Sequence, residues 1–252
     1  MTTSEETRDG FLGGRLTISQ PRFGYRAGVD PVLLAAATPA KPNQRVLDIG
    51  CGVGTAAFCL GARVSGLQLS GLEVQPAYAA LARRNAGTNG IAFEVFEGDL
   101  ANPPAALNEM SFDHVITNPP YYRRERSTAS PHEGRDIALA GSTSLETWID
   151  FATRRLLPKG YLTLIQRADR LADVLRAMDL RVGSIRIRPI SARIGRAAEL
   201  VIVQARKGGR ADLVLEAPFI MHDGTHHDSD RDDYTIEARS ILRNGAPLEW
   251  SS

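Results

Sequence analysis

From Arg45 onward the chain alternates short apolar runs with longer segments of helical character, and this alternation restricts the fold more than any other feature. Apolar stretches at Val46 to Ile49, Leu67 to Val74, Ile91 to Phe96, Phe112 to Thr117 and Tyr161 to Ile165 are separated by helix-like segments. Those segments include Thr55 to Ala62, Pro76 to Asn89, Leu145 to Leu157 and Ala168 to Met178. Such a chain predicts an α/β fold with a mostly parallel sheet and helices on both faces, because parallel neighbours can be joined only by a crossover. The pattern breaks at Leu180. Val182, Ile185, Ile187 and Ile190, then Leu200 to Val203, are joined only by the Arg- and Gly-containing Ser191 to Arg196, so these two runs must pair antiparallel.

The flanks are different in character. Phe11 to Gln20 reads as a hairpin around Gly13-Gly14, and Asp30 with Pro31 predicts an N-cap and first turn for a helix through about Ala37, closed by Pro39. Beyond Gly208-Gly209 the chain is acidic and turn-rich, with one short helix expected in Tyr234 to Leu242. We therefore divide the chain into residues 1–40, a hairpin and helix on the substrate side, residues 41–207, the sheet domain, and residues 208–252, an acidic extension.

Composition narrows the class of protein. At 252 residues, with 43% hydrophobic and 23% charged side chains, the chain fits one globular domain and excludes a disordered or fibrous one. The net charge of +1 conceals a split, because residues 208–252 carry four basic and nine acidic side chains and the preceding residues carry 26 and 20. A body of charge +6 is compatible with a polyanionic partner. The 27 Arg against 3 Lys would fit phosphate oxygens, although the Ala-rich composition favours a codon bias toward Ala and Arg as their cause. No apolar stretch approaches the roughly 18 to 20 residues of a membrane span, and Met1 to Gly10 is too polar for a secretory signal, so a cytoplasmic protein is expected. Cys51 and Cys59, the only cysteines, are expected as free thiols.

The chemistry concentrates at the ends of the apolar runs. Val46-Leu47-Asp48-Ile49-Gly50-Cys51-Gly52-Val53-Gly54 puts a glycine-rich turn between a buried strand and a helix, where backbone can approach a ligand and the helix offers free N–H groups. Alone, such a turn is common to many nucleotide sites. Glu73, closing the second apolar run, is placed to accept hydrogen bonds from both hydroxyls of a ribose, and Asp99, followed by Leu100, is placed to accept one from an adenine amine. Asn118-Pro119-Pro120-Tyr121 follows the apolar run Phe112 to Thr117.

Taken together, Asp48-x-Gly50-x-Gly52-x-Gly54, Glu73, Asp99 and Asn118-Pro119-Pro120-Tyr121 resemble the class I S-adenosylmethionine-dependent methyltransferases that methylate a planar nitrogen. The resemblance implies a Rossmann-like seven-stranded sheet ending in an antiparallel hairpin. It implies S-adenosylmethionine as cofactor, held by Asp48, Gly50, Cys51, Gly52, Gly54, Glu73, Asp99, Leu100 and Asn118. Gly24 to Leu34, Arg167 to Leu171 and Tyr234 to Leu248 narrow the likeness to the tRNA1(Val) adenine-37 N6-methyltransferase branch and its shorter methyltransferase small-domain relatives. That branch implies tRNA as the substrate.

The motif suits the reaction. An adenine N6 lone pair is delocalised into the ring, and two acceptors, the Asn118 side-chain oxygen and the Pro119 carbonyl, can take its two N–H bonds and turn the lone pair toward the donor methyl. No side-chain base is then needed before transfer, and Tyr121 can stack on the flat acceptor. Asn118, Pro119, Pro120 and Tyr121 are thus the expected catalytic set. Arg22, Arg26, Tyr122, Arg123, Arg124 and Arg126 are candidate contacts to substrate phosphates and bases. His222, His226, His227 and Asp228 lack ordered ligand spacing, so no metal is expected. The rival readings are a protein-glutamine N5-methyltransferase, a small-molecule methyltransferase and an inactive cofactor-binding subunit. The first usually carries a separate helical substrate domain, for which about 40 residues ahead of the glycine turn leave little room. The last would be expected to have lost Asn118 or Tyr121, and both are present.

Overall fold

The computed structural model describes residues 6–120, 143–224 and 233–251. It begins with an antiparallel hairpin, β1 (Glu6–Phe11) and β2 (Leu16–Pro21), turned by Leu12–Gly14. Helix α1 (Asp30–Ala37) follows, and then the alternating region: β3 (Arg45–Ile49), α2 (Thr55–Arg63), β4 (Gln68–Glu73), α3 (Pro76–Asn89), β5 (Phe93–Glu97), α4 (Ala105–Asn108) and β6 (Phe112–Thr117). Helix α5 (Leu145–Arg155), β7 (Leu156–Arg167) and α6 (Leu171–Ala177) lead to the hairpin of β8 (Val182–Ser191) and β9 (Ala198–Lys207). The last elements are β10 (Val214–Leu215), β11 (Phe219–Ile220) and α7 (Ile236–Asn244).

The strand order is β10-β8-β9-β7-β6-β3-β4-β5, with β11 also paired to β8. Strands β3 to β7 are mutually parallel, and β9 runs antiparallel to both β7 and β8. The seven expected strands are therefore β3 to β9, and two short strands from residues 208–252 extend them to nine. Each covers only two residues of β8, which gave their alternation no length to be read in the sequence. They nevertheless cover an edge that would otherwise present unpaired backbone groups.

Apolar side chains alternate between the faces of the sheet. Val46 and Ile116 point to a layer built from the hairpin, α1, α2, α3 and α7, whereas Leu47, Ile49, Phe112 and Val115 point to one built from α4, α5 and α6. Phe58 and Phe112, one in each layer, are fully buried, and each such side chain contributes about 1.5 to 3 kcal/mol relative to an exposed one.

The hairpin is fastened by polar side chains rather than by the main sheet. Asn85 on α3 receives the Ser19 amide and donates to the Ser19 carbonyl, at 2.8 and 3.0 Å, and Asn89, one helical turn on, does the same for Thr17 at 2.9 and 2.9 Å. These two amides complete the outer edge of β2 as a neighbouring strand would. The acidic extension is tied down similarly. Glu216 lies between Arg186 and Arg188, Trp250 donates its indole N–H to the Ala37 carbonyl, and the Leu248 amide bonds the Ala36 carbonyl.

Several boundaries differ from the expectation. Asp30 is the first residue of α1, not its cap, because Val29 already has helical backbone angles. Leu145 to Leu157 ends as a helix at Arg155, since β7 begins at Leu156 and runs far longer than Tyr161 to Ile165. Ala168 to Met178 divides into a single tight turn, Ala168–Arg170, and α6.

This topology places a site. From β3 the chain proceeds to β4 and β5 on one side, while β6 and β7 lie on the other, so the sheet's direction of winding reverses between β3 and β6. Open α/β sheets bind ligands at that reversal, beyond the carboxyl ends of the strands.

Candidate active site

The register of the sheet brings distant motifs to one level. Ile49 lies opposite both Leu72 and Thr117, so Gly50, Glu73 and Asn118 are the next residues of three adjacent strands. Past β3 the backbone turns with φ of +67°, +55° and +90° at Gly50, Gly52 and Gly54, values that L side chains rarely adopt. The Gly50 and Cys51 amides both bond the Leu72 carbonyl, and the Gly54 amide bonds the Cys51 carbonyl, which fixes the loop.

The glycines serve different ends. A Cβ on Gly50 would lie 2.5 Å from the Trp148 ring, whereas one on Gly52 would meet nothing within 4 Å. Gly50 is thus required by the packing of α5, and Gly52 faces open space above the turn. Gly50→Ala is accordingly expected to destabilise the fold by about 2 to 4 kcal/mol, from steric overlap and left-handed strain together. A thermal melt checks it, and an unchanged midpoint would show that Trp148 does not press on this turn.

Two buried carboxylates flank the turn. Glu73 accepts the Gly52 amide at 2.8 Å through Oε2 and the Gln75 amide at 2.9 Å through Oε1. Burial raises its pKa above the ordinary carboxylate value, against the pull of those N–H groups. Each oxygen retains a further lone pair. Asp48 is more extreme. Its burial, partly offset by the Ala57 amide and reinforced by the charge of Glu73, pushes its pKa up to about 8, and its Oδ2 has no hydrogen-bond partner among the described residues.

Across the reversal, Asn118 continues β6. Its Nδ2 donates to the Tyr25 hydroxyl at 3.2 Å, while its Oδ1 is buried and has no partner among the described residues. Burying an acceptor without a donor costs about 1 to 3 kcal/mol, a cost that fits a binding site better than a structural turn. Next to it the Pro119 carbonyl receives Gln166 Nε2 at 3.3 Å. Gln166 is itself buried, at the carboxyl end of β7, with its Oε1 accepting the Arg167 amide at 2.9 Å.

The other candidates are distributed less closely. Asp99 lies beyond the end of β5, on an exposed turn where Oδ1 accepts the Ala101 amide at 2.9 Å, and Leu100 is buried beside it. A cavity of about 150 Å³ bordered by Leu100 and Ala101 is smaller than the several hundred Å³ of an ordinary nucleotide pocket. Arg22 is exposed. Arg26 bonds Asp9, Thr7 and the Pro21 carbonyl, so its guanidinium braces the hairpin. Tyr121, Tyr122, Arg123, Arg124 and Arg126 lie outside the described residues, as do His226, His227 and Asp228. His222 bonds Asp233 at 2.6 Å and stacks on Tyr234, and no group of three metal-ligating side chains occurs among the described residues.

Two residues near the motif had no assigned role in the sequence. Gln166 sits at the end of a strand with only its position to distinguish it, and Tyr25 was part of the Gly24 to Leu34 segment without a stated function. The one usable signal for Tyr25 is an aromatic beside Gly24 in a segment expected on the substrate side.

Residues 28–175, more than half the chain, match the family described as the methyltransferase small domain. The chain belongs to that family. This methyltransferase small-domain protein is 33% identical over 189 residues to a tRNA1(Val) (adenine(37)-N6)-methyltransferase of Porphyromonas gingivalis, covering 71% of this chain and 73% of the relative. An enzyme of the same name from Actinobacillus pleuropneumoniae is 28% identical over 200 residues, 77% of this chain and 82% of its own. Among solved structures, a predicted O-methyltransferase from Agrobacterium tumefaciens superposes with a TM-score of 0.69 at 28% identity, over 87% of this chain and 98% of that one. A T. thermophilus 16S rRNA N2 G1207 methyltransferase, solved with AdoMet and guanosine, superposes at 0.56 with 18% identity over 80% of this chain and 50% of its own, which speaks to the fold alone. The methyltransferase small-domain protein is thus an enzyme of the class I methyltransferase fold, whose family implies S-adenosylmethionine as methyl donor.

Proposed function

We propose that this methyltransferase moves a methyl group from S-adenosylmethionine to the exocyclic N6 amine of an adenine in tRNA, with the anticodon loop as the target region. The observation that carries the reading is the buried Oδ1 of Asn118 at the carboxyl end of β6, which has no partner among the described residues. The names of the relatives, which share that end use, supply the substrate class.

The residues fit the donor. Among the described residues, Asp48 offers a buried oxygen without a partner, Glu73 has acceptor capacity left on both oxygens, and Gly52 leaves open the space that a side chain would fill. Asp48, Gly50, Cys51, Gly52, Gly54, Glu73, Asp99 and Leu100 would hold it, with Glu73 receiving ribose hydroxyls, Asp99 the adenine amine, and Asn118 bordering the methyl group without contributing appreciably to affinity. S-adenosylmethionine supplies an electrophilic methyl on a sulfonium. This chain's part is to orient the acceptor. Asn118 Oδ1 and the Pro119 carbonyl would each accept one N–H of the amine, drawing electron density toward nitrogen and aiming its lone pair. Gln166 holds the Pro119 carbonyl in place from the next strand.

A hydroxyl acceptor, as the name of the Agrobacterium structure suggests for that protein, has a single proton and needs a base to remove it. An amide side chain such as Asn118 is no base. A protein-glutamine acceptor would satisfy the same two carbonyl oxygens and is the second reading. Residues 1–40 would then still contribute the substrate side, and residues 208–252 an extension whose short strands line β8 and whose helix packs against the hairpin turn and α1.

Purified protein with methyl-labelled S-adenosylmethionine, offered unmodified tRNA and a glutamine-containing protein in parallel, tests the reading. Label should enter tRNA. Binding should weaken as salt rises, and replacing Arg123, Arg124 and Arg126 together by Ala should reduce the log–log salt slope by about 2 to 3, one counterion being released for each phosphate neutralised. Label in the protein acceptor alone would transfer the assignment to the second reading.

A further inference from the structure

We propose that Tyr25 is a positioning residue for the transfer, holding the Asn118 side chain so that Oδ1 rather than Nδ2 faces the amine to be methylated. The proposal rests on the reading of Asn118 as the amine's acceptor. An asparagine amide has two ends of nearly equal size, one accepting and one donating. Turned by half a rotation, Asn118 would present N–H groups to N–H groups, losing the acceptor and placing two donors in opposition.

Tyr25 supplies the preference. Its hydroxyl receives the Asn118 Nδ2 donor at 3.2 Å, across 93 positions of sequence. A phenol can also donate, so the contact selects one orientation only if the hydroxyl proton is directed elsewhere. In the structure the hydroxyl is the acceptor of this contact. Burial of the hydroxyl and then the negative charges of Asp30 and Asp48 raise the Tyr25 pKa, which keeps the phenol protonated. A neutral phenol keeps oxygen lone pairs free, and one of them takes the Asn118 Nδ2 donor.

The main chain around Tyr25 is braced to maintain this contact. The hydroxyl of Tyr78, buried on α3, donates to the Tyr25 carbonyl at 3.2 Å. The Ala27 amide donates to Gln20 Oε1 at 2.7 Å, and Arg26 is clamped to the hairpin by Asp9 and Thr7. Segment and hairpin thus act as one support for a single hydroxyl. The Tyr25 ring remains about half exposed, so the same side chain borders the approach to Asn118.

The test compares wild type, Tyr25→Phe, Asn118→Ala and the double variant in methyl transfer to unmodified tRNA. Tyr25→Phe keeps the ring and removes one oxygen. It should lower kcat about 10-fold, the scale of one positioning hydrogen bond, with KM within about 2-fold. Added to Asn118→Ala it should cost nothing further, because the group it positions is already gone. Equal rates for Tyr25→Phe and wild type, or independent losses that multiply in the double variant, would overturn the proposal. If wild type itself transfers no methyl to tRNA, the substrate assignment has failed, and Tyr25 is judged by the side-chain amide NMR signal of Asn118, assigned by its loss in Asn118→Ala. Tyr25→Phe should then shift that signal. An unmoved signal would overturn the positioning role on its own.

Discussion

Asn118→Ala is expected to reduce turnover at least about 100-fold, the effect of deleting one preorganised polar contact to the reacting group, while cofactor affinity stays within about 2-fold of wild type. The separation follows from the geometry. Asn118 Oδ1 is a buried acceptor with no partner among the described residues, so its removal disrupts no internal hydrogen bond that the fold requires. What disappears is the group proposed to draw density onto the nitrogen to be methylated. Among the described residues only the Nδ2 contact to Tyr25 is lost besides, and Tyr25 keeps its main-chain anchor to Tyr78. Single-turnover transfer beside calorimetric titration with S-adenosylmethionine measures both halves. A near wild-type rate would remove the amine cradle from the account, and a loss of cofactor affinity equal to the loss of rate would make Asn118 a binding residue instead.

Glu73→Ala should weaken S-adenosylmethionine binding by about 1.5 to 3 kcal/mol, the usual scale for bonds to a charged group. Two contributions act in the same direction. The lone pairs proposed for the ribose hydroxyls are removed, and the Gly52 amide, held at 2.8 Å by Oε2, loses the partner that keeps the glycine turn in shape. Asp99→Ala should be milder, since Asp99 is exposed on its turn and water can replace its carboxylate. Calorimetry on the two variants ranks them, and unchanged affinity in Glu73→Ala would displace the ribose from β4.

The alternation of apolar runs made the parallel sheet and its closing hairpin legible, because strands buried on both faces are written as continuous apolar stretches. The glycine turn, Glu73 and the Asn-Pro-Pro sequence were legible for a related reason, since each stands at the point where such a run stops. Elements held by pairwise polar contacts were not. Asn85 and Asn89 look like ordinary surface residues of a helix until β2 lies against them. Strands β10 and β11 are too short to show any alternation. Tyr25 and Gln166 reach the site through contacts across 93 and 47 positions, and nothing local in either segment records the partner. Arg26 is a different case, because this arginine, in a segment expected on the substrate side, bonds its own hairpin.

The central claim is that this chain methylates an adenine N6 amine in tRNA through Asn118. The most direct measurement is mass analysis of the nucleosides released from unmodified tRNA after incubation with S-adenosylmethionine and either wild type or Asn118→Ala. The account predicts N6-methyladenosine with wild type and a yield at least about 100-fold lower in rate with the variant. Methyl groups appearing only in another nucleoside, or N6-methyladenosine formed equally fast without Asn118, would contradict it.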